Sequence, residues 1–168
     1  MKCVVIGSGA FGFAIAVNLL KNGNDVTVWC SSKDKLNEIQ SGKEIIPGIK
    51  TPTEMKFTDS IKEAVIDADV IYLMTSAKYI GDVTKKINKY AKKDAVYCIG
   101  SKGIEQGSCE FVHEVFKKNS NNSNYAVISG PSFAVDLASG EPIGFSLAAS
   151  NRRTSKLIIE TLSSNSVK

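Results

Sequence analysis

The sequence has 168 residues, close to one domain at the usual ~150 residues per domain, which allows one core and excludes a complete large enzyme. Hydrophobic residues make up 43% and charged residues 23%, which excludes the apolar-poor composition of a disordered chain. The 21 Lys and Arg against 17 acids give a formal charge of +4, too mild to indicate a nucleic-acid partner and compatible with small anionic ligands.

In chain order, Lys2 to Ile6 reads as a strand, followed by a glycine turn and a helix from about Ala10 to Lys21 that ends at Asn22 and Gly23. Asp25 to Cys30 forms a second strand, Asp34 to Ser41 a helix, and Ile46 to Pro52 a loop set by Pro47, Gly48 and Pro52. A weaker pattern gives a third strand near Met55 to Thr58, after which Asp59 is placed to cap a helix running through Ile66. The run Val70-Ile71-Tyr72-Leu73-Met74 within Asp69 to Thr75 is continuous rather than alternating, as expected of a strand covered on both faces. From Lys78 to Ala91, Ile80, Val83, Ile87 and Tyr90 recur at helical spacing while Lys85, Lys86 and Lys89 fall on the solvated side. Ala95 to Gly100 is a fifth strand, Cys109 to Lys118 a helix and Tyr125 to Ser129 a sixth strand; Phe133 to Ser139, Gly144 to Ala149 and Arg152 to Ser163 read as helix, strand and helix. The Asn/Ser-rich stretch 119 to 124 is an exposed loop, and its Asn121-Asn122-Ser123 sequon matters only in a secreted chain. No repeat or internal boundary divides residues 1 to 168, which read as one domain.

The uncharged stretch Cys3 to Leu20 behind Lys2 superficially resembles a signal-peptide core or a short membrane span. Gly7, Gly9 and Gly12 at its centre, Asn18 near its end and the lack of a following cleavage site argue against both. Cys3, Cys30, Cys98 and Cys109 make no CxxC pair and no metal-ligand spacing. Three of them lie in apolar strand-like runs, so free thiols in a reducing compartment, and hence a cytoplasmic location, are expected.

The most informative segment is Gly7-Ser8-Gly9-Ala10-Phe11-Gly12, a G-x-G-x-x-G turn between a predicted strand and a predicted helix, with Ala16 four residues on. Gly7 permits the tight turn, Gly9 lets the backbone approach a pyrophosphate, and Gly12 with Ala16 lets the helix lie close to the sheet. The pyrophosphate would then face amide groups at a helix N-terminus. In the βαβ context this points to a Rossmann-type doubly wound α/β fold, a mostly parallel sheet with helices on both faces. The end of the second strand carries Trp29-Cys30-Ser31-Ser32-Lys33, without the acid that would hold an adenine-ribose 2′-OH and repel a 2′-phosphate. NAD and NADP both stay open. Lys33 is either a phosphate contact or a surface lysine at a helix start.

Four separated motifs resemble the bacterial type of NAD(P)-dependent glycerol-3-phosphate dehydrogenase. Gly7 to Gly12 with Ala14 resembles its cofactor turn and Ile46-Pro47-Gly48-Ile49 its Leu-Pro-Gly-Ile loop. Ser101-Lys102-Gly103-Ile104-Glu105 is similar to its Thr-Lys-Gly-Leu-Glu turn, and Ser129-Gly130-Pro131-Ser132-Phe133-Ala134 to its Ser-Gly-Pro-Ser-Phe-Ala signature. The last two are the more discriminating, and Lys102 and Ser132 each follow a predicted strand at the carboxyl edge where open α/β sheets bind ligands. Without the motif, Lys102 reads as one exposed lysine among many, and Gly130-Pro131-Ser132 as a turn with Ser132 capping the next helix.

The resemblance implies reversible hydride transfer between a nicotinamide and C2 of dihydroxyacetone phosphate or sn-glycerol 3-phosphate, supplying glycerol 3-phosphate for phospholipid synthesis. It implies cofactor contacts at Gly7, Gly9, Ala10, Phe11, Gly12, Ser31, Lys102 and Ala134, and substrate contacts at Lys102, Gly130 and Ser132. It also implies a homodimer for the full-length form, no metal, no nucleic acid and no membrane span. The chain departs from the family pattern in having Met74-Thr75-Ser76 where Val-Pro-Ser is usual after the fourth strand, and Ser31 where a basic residue or histidine often follows the second. The family's acid/base lysine lies in a helical second domain beyond the matched region, so no catalytic residue is expected within these 168 residues. They are expected to bind dinucleotide without turning over substrate. Two other readings keep the cofactor turn: another two-domain dehydrogenase with the same N-terminal fold, and a non-catalytic dinucleotide sensor. His113, beside Phe111 and Val112 without a Ser or Asp partner, reads as structural. Glu105 and Glu110 form no catalytic carboxylate pair, and Trp29 and the tyrosines read as packing residues.

Overall fold

A strand whose side chains are apolar on both faces is stable only where both faces are covered, and the chain meets that requirement by alternating strands and helices. The computed structural model describes residues 1–168. The elements run β1 (Lys2–Ile6), α1 (Ala10–Lys21), β2 (Asp25–Trp29), α2 (Lys33–Gln40), β3 (Lys56–Thr58) and α3 (Ile61–Val65). They continue with β4 (Val70–Leu73), a 3-10 turn (Ala77–Tyr79), α4 (Ile80–Ile87), β5 (Val96–Ile99), α5 (Val112–Asn119) and β6 (Tyr125–Ser129). The chain closes with α6 (Ala134–Ser139), β7 (Ser146–Ala149) and α7 (Arg152–Leu162). One sheet in the order β3-β2-β1-β4-β5-β6-β7 results, parallel throughout except for the antiparallel β6–β7 pair. No helix is long and apolar enough to cross a membrane.

The period of two in a strand divides each buried run between two cores. Cys3 and Val5, Val70 and Tyr72, and Val96 and Cys98 point into the core under α1, α6 and α7. Val4 and Ile6, Ile71 and Leu73, and Tyr97 and Ile99 point into the other, under α3, α4 and α5. α1 is buried along Gly12 to Leu19 because α6 and α7 lie over it. This burial forces an account of Asn18, whose amide donates to Leu162 O at 2.7 Å. Asn22 donates to Thr161 O and Ser163 O, and Asn24 to Thr161 O. Three asparagines from the end of α1 thus satisfy the orphan carbonyls at the end of α7, beside a buried 2.6 Å hydrogen bond between the Tyr72 and Thr161 hydroxyls.

Several expected details shift. The cap of α3 is Ser60, whose Oγ accepts from Glu63 N at 3.3 Å, not Asp59. The helix expected from Lys78 begins with the 3-10 turn and stops at Ile87, so Tyr90 falls past its end and is exposed rather than packed. The helix expected from Cys109 starts at Val112, because Cys109 sits at φ 57, outside helical space. The final strand is shorter than Gly144 to Ala149 and runs antiparallel, which closes the parallel sheet with an edge. Cys3, Cys30 and Cys98 are buried and Cys109 is exposed; burial raises the Cys30 thiol and pushes Cys3 up to about 12.

Candidate functional site

Parallel strands bring the residues after β1, β2, β4, β5 and β6 to one edge of the sheet, and β1 lies between β2 and β4, where the chain reverses its winding direction. The glycine turn occupies this position. Gly7 has φ 123, and a Cβ there would lie 2.8 Å from the Met74 carbonyl oxygen. A Cβ at Gly12 would overlap the Gly7 carbonyl oxygen. Both residues must therefore lack side chains if the turn and α1 are to pack. A Cβ at Gly9 would meet nothing within 4 Å, so its bareness serves the open side of the turn.

That open side is a cleft of about 740 Å³. Its floor is Gly7, Ser8 and Gly9; one wall is Trp29, Ser31, Ser32 and Lys35, and the other is formed by Met74, Thr75, Ser76 and Tyr79 with Asp82, Val83 and Lys86 from α4. No side chain caps α1, whereas α2, α3 and α7 are capped by Ser32, Ser60 and Asn151. The first-turn N–H groups of α1 therefore remain donors for an anion. A bare glycine facing a cleft beside uncapped helix donors suits a dinucleotide pyrophosphate, so these residues fit the cofactor turn that the sequence proposes. Trp29 is buried at 8% exposure, with its indole Nε1 donating to Asp59 O at 3.0 Å.

The expected residues fall into two groups. Gly7, Gly9 and Ser31 line the cleft. Ala10 is exposed and Phe11 half-buried on the first turn of α1, beyond which a second group begins. The Lys102 ammonium lies 5.6 Å from the centre of the Phe11 ring, so the lysine after β5 reaches back to the cofactor turn and gains a cation–π contact. Phe11 meets Phe145 edge-on at 6.3 Å, and Phe145 lies against Gly130, where a Cβ would come 3.2 Å from its ring. Lys102, Phe11, Phe145 and Gly130 thus form one connected rim. Ala134 begins α6 and packs half-buried on the core below it.

Three readings are corrected. Ser132 does not cap α6: Phe133 holds the N-cap position with no side-chain hydrogen bond, and the Ser132 Oγ is buried without a partner. The turn at Gly130-Pro131 carries the chain one residue further before the helix starts. Lys33 does not line the cleft. The cationic residues that do are Lys35, in the first turn of α2, and Lys86, because helical spacing turns Lys33 away from the wall that Ser32 and Lys35 share. Tyr79, expected to pack, is 49% exposed at the cleft. Sequence reasoning missed Ser8, Thr75 and Asp82 as cleft residues; Ser8 had a signal inside the glycine motif and Thr75 in the departure Met74-Thr75-Ser76, whereas Asp82 had none.

Glu105, near Lys102, is a loop fastener. Its Oε2 accepts from the Ser108 N–H at 2.6 Å and hydroxyl at 2.8 Å, and these bonds hold its carboxyl below the usual range, the backbone bond contributing most. His113 stacks on Phe111. No group of three His, Cys, Asp or Glu side chains is arranged to hold a metal.

The chain is 32% identical to the glycerol-3-phosphate dehydrogenase [NAD(P)+] of Fusobacterium nucleatum over 157 residues, 90% of this chain and 47% of that protein. It is 32% identical to the enzyme of the same name from Bacillus subtilis, over 92% of this chain and 47% of that one. The chain therefore spans about half the length of the curated relatives it matches. The crystal structure of glycerol-3-phosphate dehydrogenase from Coxiella burnetii superposes with a TM-score of 0.92 at 26% identity, over 99% of this chain and 52% of that one. The family model for the N-terminus of NAD-dependent glycerol-3-phosphate dehydrogenase matches residues 2–155. With its glycine turn, its switch-point cleft and this match over most of its length, the chain belongs to the NAD-dependent glycerol-3-phosphate dehydrogenase family, whose N-terminal part it carries.

Proposed function

We propose that these 168 residues are the dinucleotide-binding part of an enzyme that interconverts sn-glycerol 3-phosphate and dihydroxyacetone phosphate. The observation that carries this reading is the Lys102 ammonium beside the cofactor turn, 5.6 Å from the centre of the Phe11 ring, where a point charge suits a phosphorylated substrate as well as the dinucleotide. When bound, NAD(P) supplies or accepts the hydride at its nicotinamide. The chain's own residues position and polarise. Gly7, Gly9, Ala10 and Phe11 hold the pyrophosphate and the ring beyond it through main chain and contact, Gly12 acts by letting α1 pack against the turn, Ser31 meets the adenosine end, and Ala134 closes the nicotinamide end. Lys102 offers a point charge to the substrate, with Gly130 and the unpartnered Ser132 hydroxyl beside it. None of the 168 residues is assigned the proton transfer.

In the same reading the full-length enzyme is a cytoplasmic homodimer that supplies glycerol 3-phosphate for phospholipid synthesis. Titration of the 168-residue chain with NADH, then with dihydroxyacetone phosphate, tests the proposal. NADH is expected to bind and to tighten dihydroxyacetone phosphate binding. Cofactor binding without any response to dihydroxyacetone phosphate would favour a sensor. NADH oxidation by the 168 residues alone is expected to be absent; turnover in the usual enzymatic range of ~1 to 10³ per second would move the proton-transfer group into this chain.

A further inference from the structure

Four buried hydroxyls have no hydrogen-bond partner in the protein, those of Thr75, Thr84, Ser132 and Thr154. A buried hydroxyl left unpaired lowers stability, so each calls for an account. Thr84 and Thr154 are wholly buried on α4 and α7, where only protein surrounds them, and Ser132 follows β6 on the Lys102 side of the edge. Thr75 alone of the four lines the glycine-turn cleft.

Thr75 stands two residues beyond β4, just past Met74, whose N–H still donates to Ile6 O at 2.9 Å. The Thr75 N–H donates to no group of the chain, and a Cβ on Gly7 would lie 3.3 Å from that nitrogen. The residue therefore carries two unused donors and rests against the turn that faces the pyrophosphate. A proline here, as in the Val-Pro-Ser pattern from which the chain departs, would offer neither donor. Thr75 is half-buried although its Oγ1 is covered. Rotation about χ1 moves that oxygen between staggered positions, and a hydroxyl without a partner gives up no hydrogen bond in turning to the cleft.

We infer that the Thr75 hydroxyl donates to an oxygen of the dinucleotide pyrophosphate, opposite the main-chain donors of α1, and so acts as a positioning group peculiar to this departure from the family pattern. The inference rests on the reading that this cleft holds a dinucleotide. Binding would satisfy a hydroxyl that the free protein leaves unpaired, so the same group that weakens the fold strengthens the complex.

The single tryptophan of the chain lines the cleft, so its fluorescence reports titration with NADH, and displacement of NADH reports the affinity for ADP. Thr75→Val removes the hydroxyl at nearly constant volume, and Thr75→Ser retains it. Thr75→Val is expected to weaken NADH and ADP by a similar factor, about tenfold for one hydrogen bond to a charged group, while its Tm stays at or above that of the unaltered chain. Thr75→Ser should bind NADH within about threefold of the unaltered chain. A hydroxyl with a structural role gives the opposite stability signature, so a lowered Tm or a failure to fold in Thr75→Val overturns the inference. Unchanged NADH affinity in Thr75→Val, or a loss in Thr75→Ser as large as in Thr75→Val, overturns it as well. A loss for NADH that spares ADP takes the contact off the pyrophosphate and has the same result. In all these cases NADH binding by the unaltered chain preserves the dinucleotide reading; absence of that binding overturns the reading and the inference together.

Discussion

The β1–β2–β4 side of the sheet edge and the β5–β6 side are built in different ways. On the first, the site is main chain: Gly7 and Gly12 interlock with Met74 and with each other so closely that no Cβ fits, and the cleft takes its shape from backbone already fixed by the fold. On the second, the site is side chains: Lys102 is exposed, Phe133 is 74% exposed, and Ser132 has a buried hydroxyl without a partner. A site made of backbone tolerates almost no substitution and is preorganised. A site made of exposed side chains can lose a group without harm to the fold, and its chemistry depends on what it binds.

The sharpest way to break this comparison is Gly12→Ala. Its methyl group must displace the Gly7 carbonyl, so we expect a loss of about 3 kcal/mol, as for overpacked cores, a Tm lowered by roughly 6–12 °C for a chain of this size, and no detectable NADH binding. Thermal unfolding monitored by circular dichroism, with an NADH titration, measures both. A stable, binding-competent Gly12→Ala chain would mean that the turn is not preorganised.

Gly9→Ala separates ligand fit from fold. Since a Cβ at Gly9 meets nothing, its Tm should stay within about 2 °C of the parent, while NADH affinity drops at least about tenfold, one lost charge-assisted contact. Lys102→Ala should likewise leave Tm unaltered and weaken dihydroxyacetone phosphate binding to the NADH-loaded chain by about tenfold. Calorimetric titration distinguishes the two, because the second variant should lose more affinity for dihydroxyacetone phosphate than for NADH.

The smallest effects concern the sheet core that both regions share. Burial raises the Cys98 thiol and the Tyr72 hydroxyl, and pushes Cys3 and Tyr97 up to about 12. The folded chain therefore keeps protons that the unfolded chain releases from the ordinary thiol value of 9.0 upward. Stability from these groups is fully present below that value and is lost as pH rises toward about 12. Urea midpoints should hold between pH 8 and about 9 and fall from there to pH 11. A thiol reagent at pH 8 should label Cys109 quickly and Cys3, Cys30 and Cys98 only on unfolding, in keeping with their burial.

Much of the fold was legible in the sequence because its signals are local. β1 and α1 have the limits read from the apolar run and from Asn22-Gly23, and β4 is buried on both faces as its unbroken apolar pattern requires. Errors gather where a short-range rule had two candidates. Asp59 and Ser60 both suit a cap, and only the path after β3 selects Ser60. Lys33 and Lys35 both follow Ser32, and only the direction of α2 turns Lys35 into the cleft.

The sequence by itself determined the winding of the sheet, the glycine turn and the family, since strand period, helix period and the need for bare backbone are written residue by residue. Only the tertiary structure decided that Lys102 lies above Phe11, that Ser132 keeps an unpartnered hydroxyl and that asparagines at the end of α1 cap α7. Those are contacts between segments dozens of residues apart, and they depend on how helices settle on a sheet rather than on any pattern within one segment.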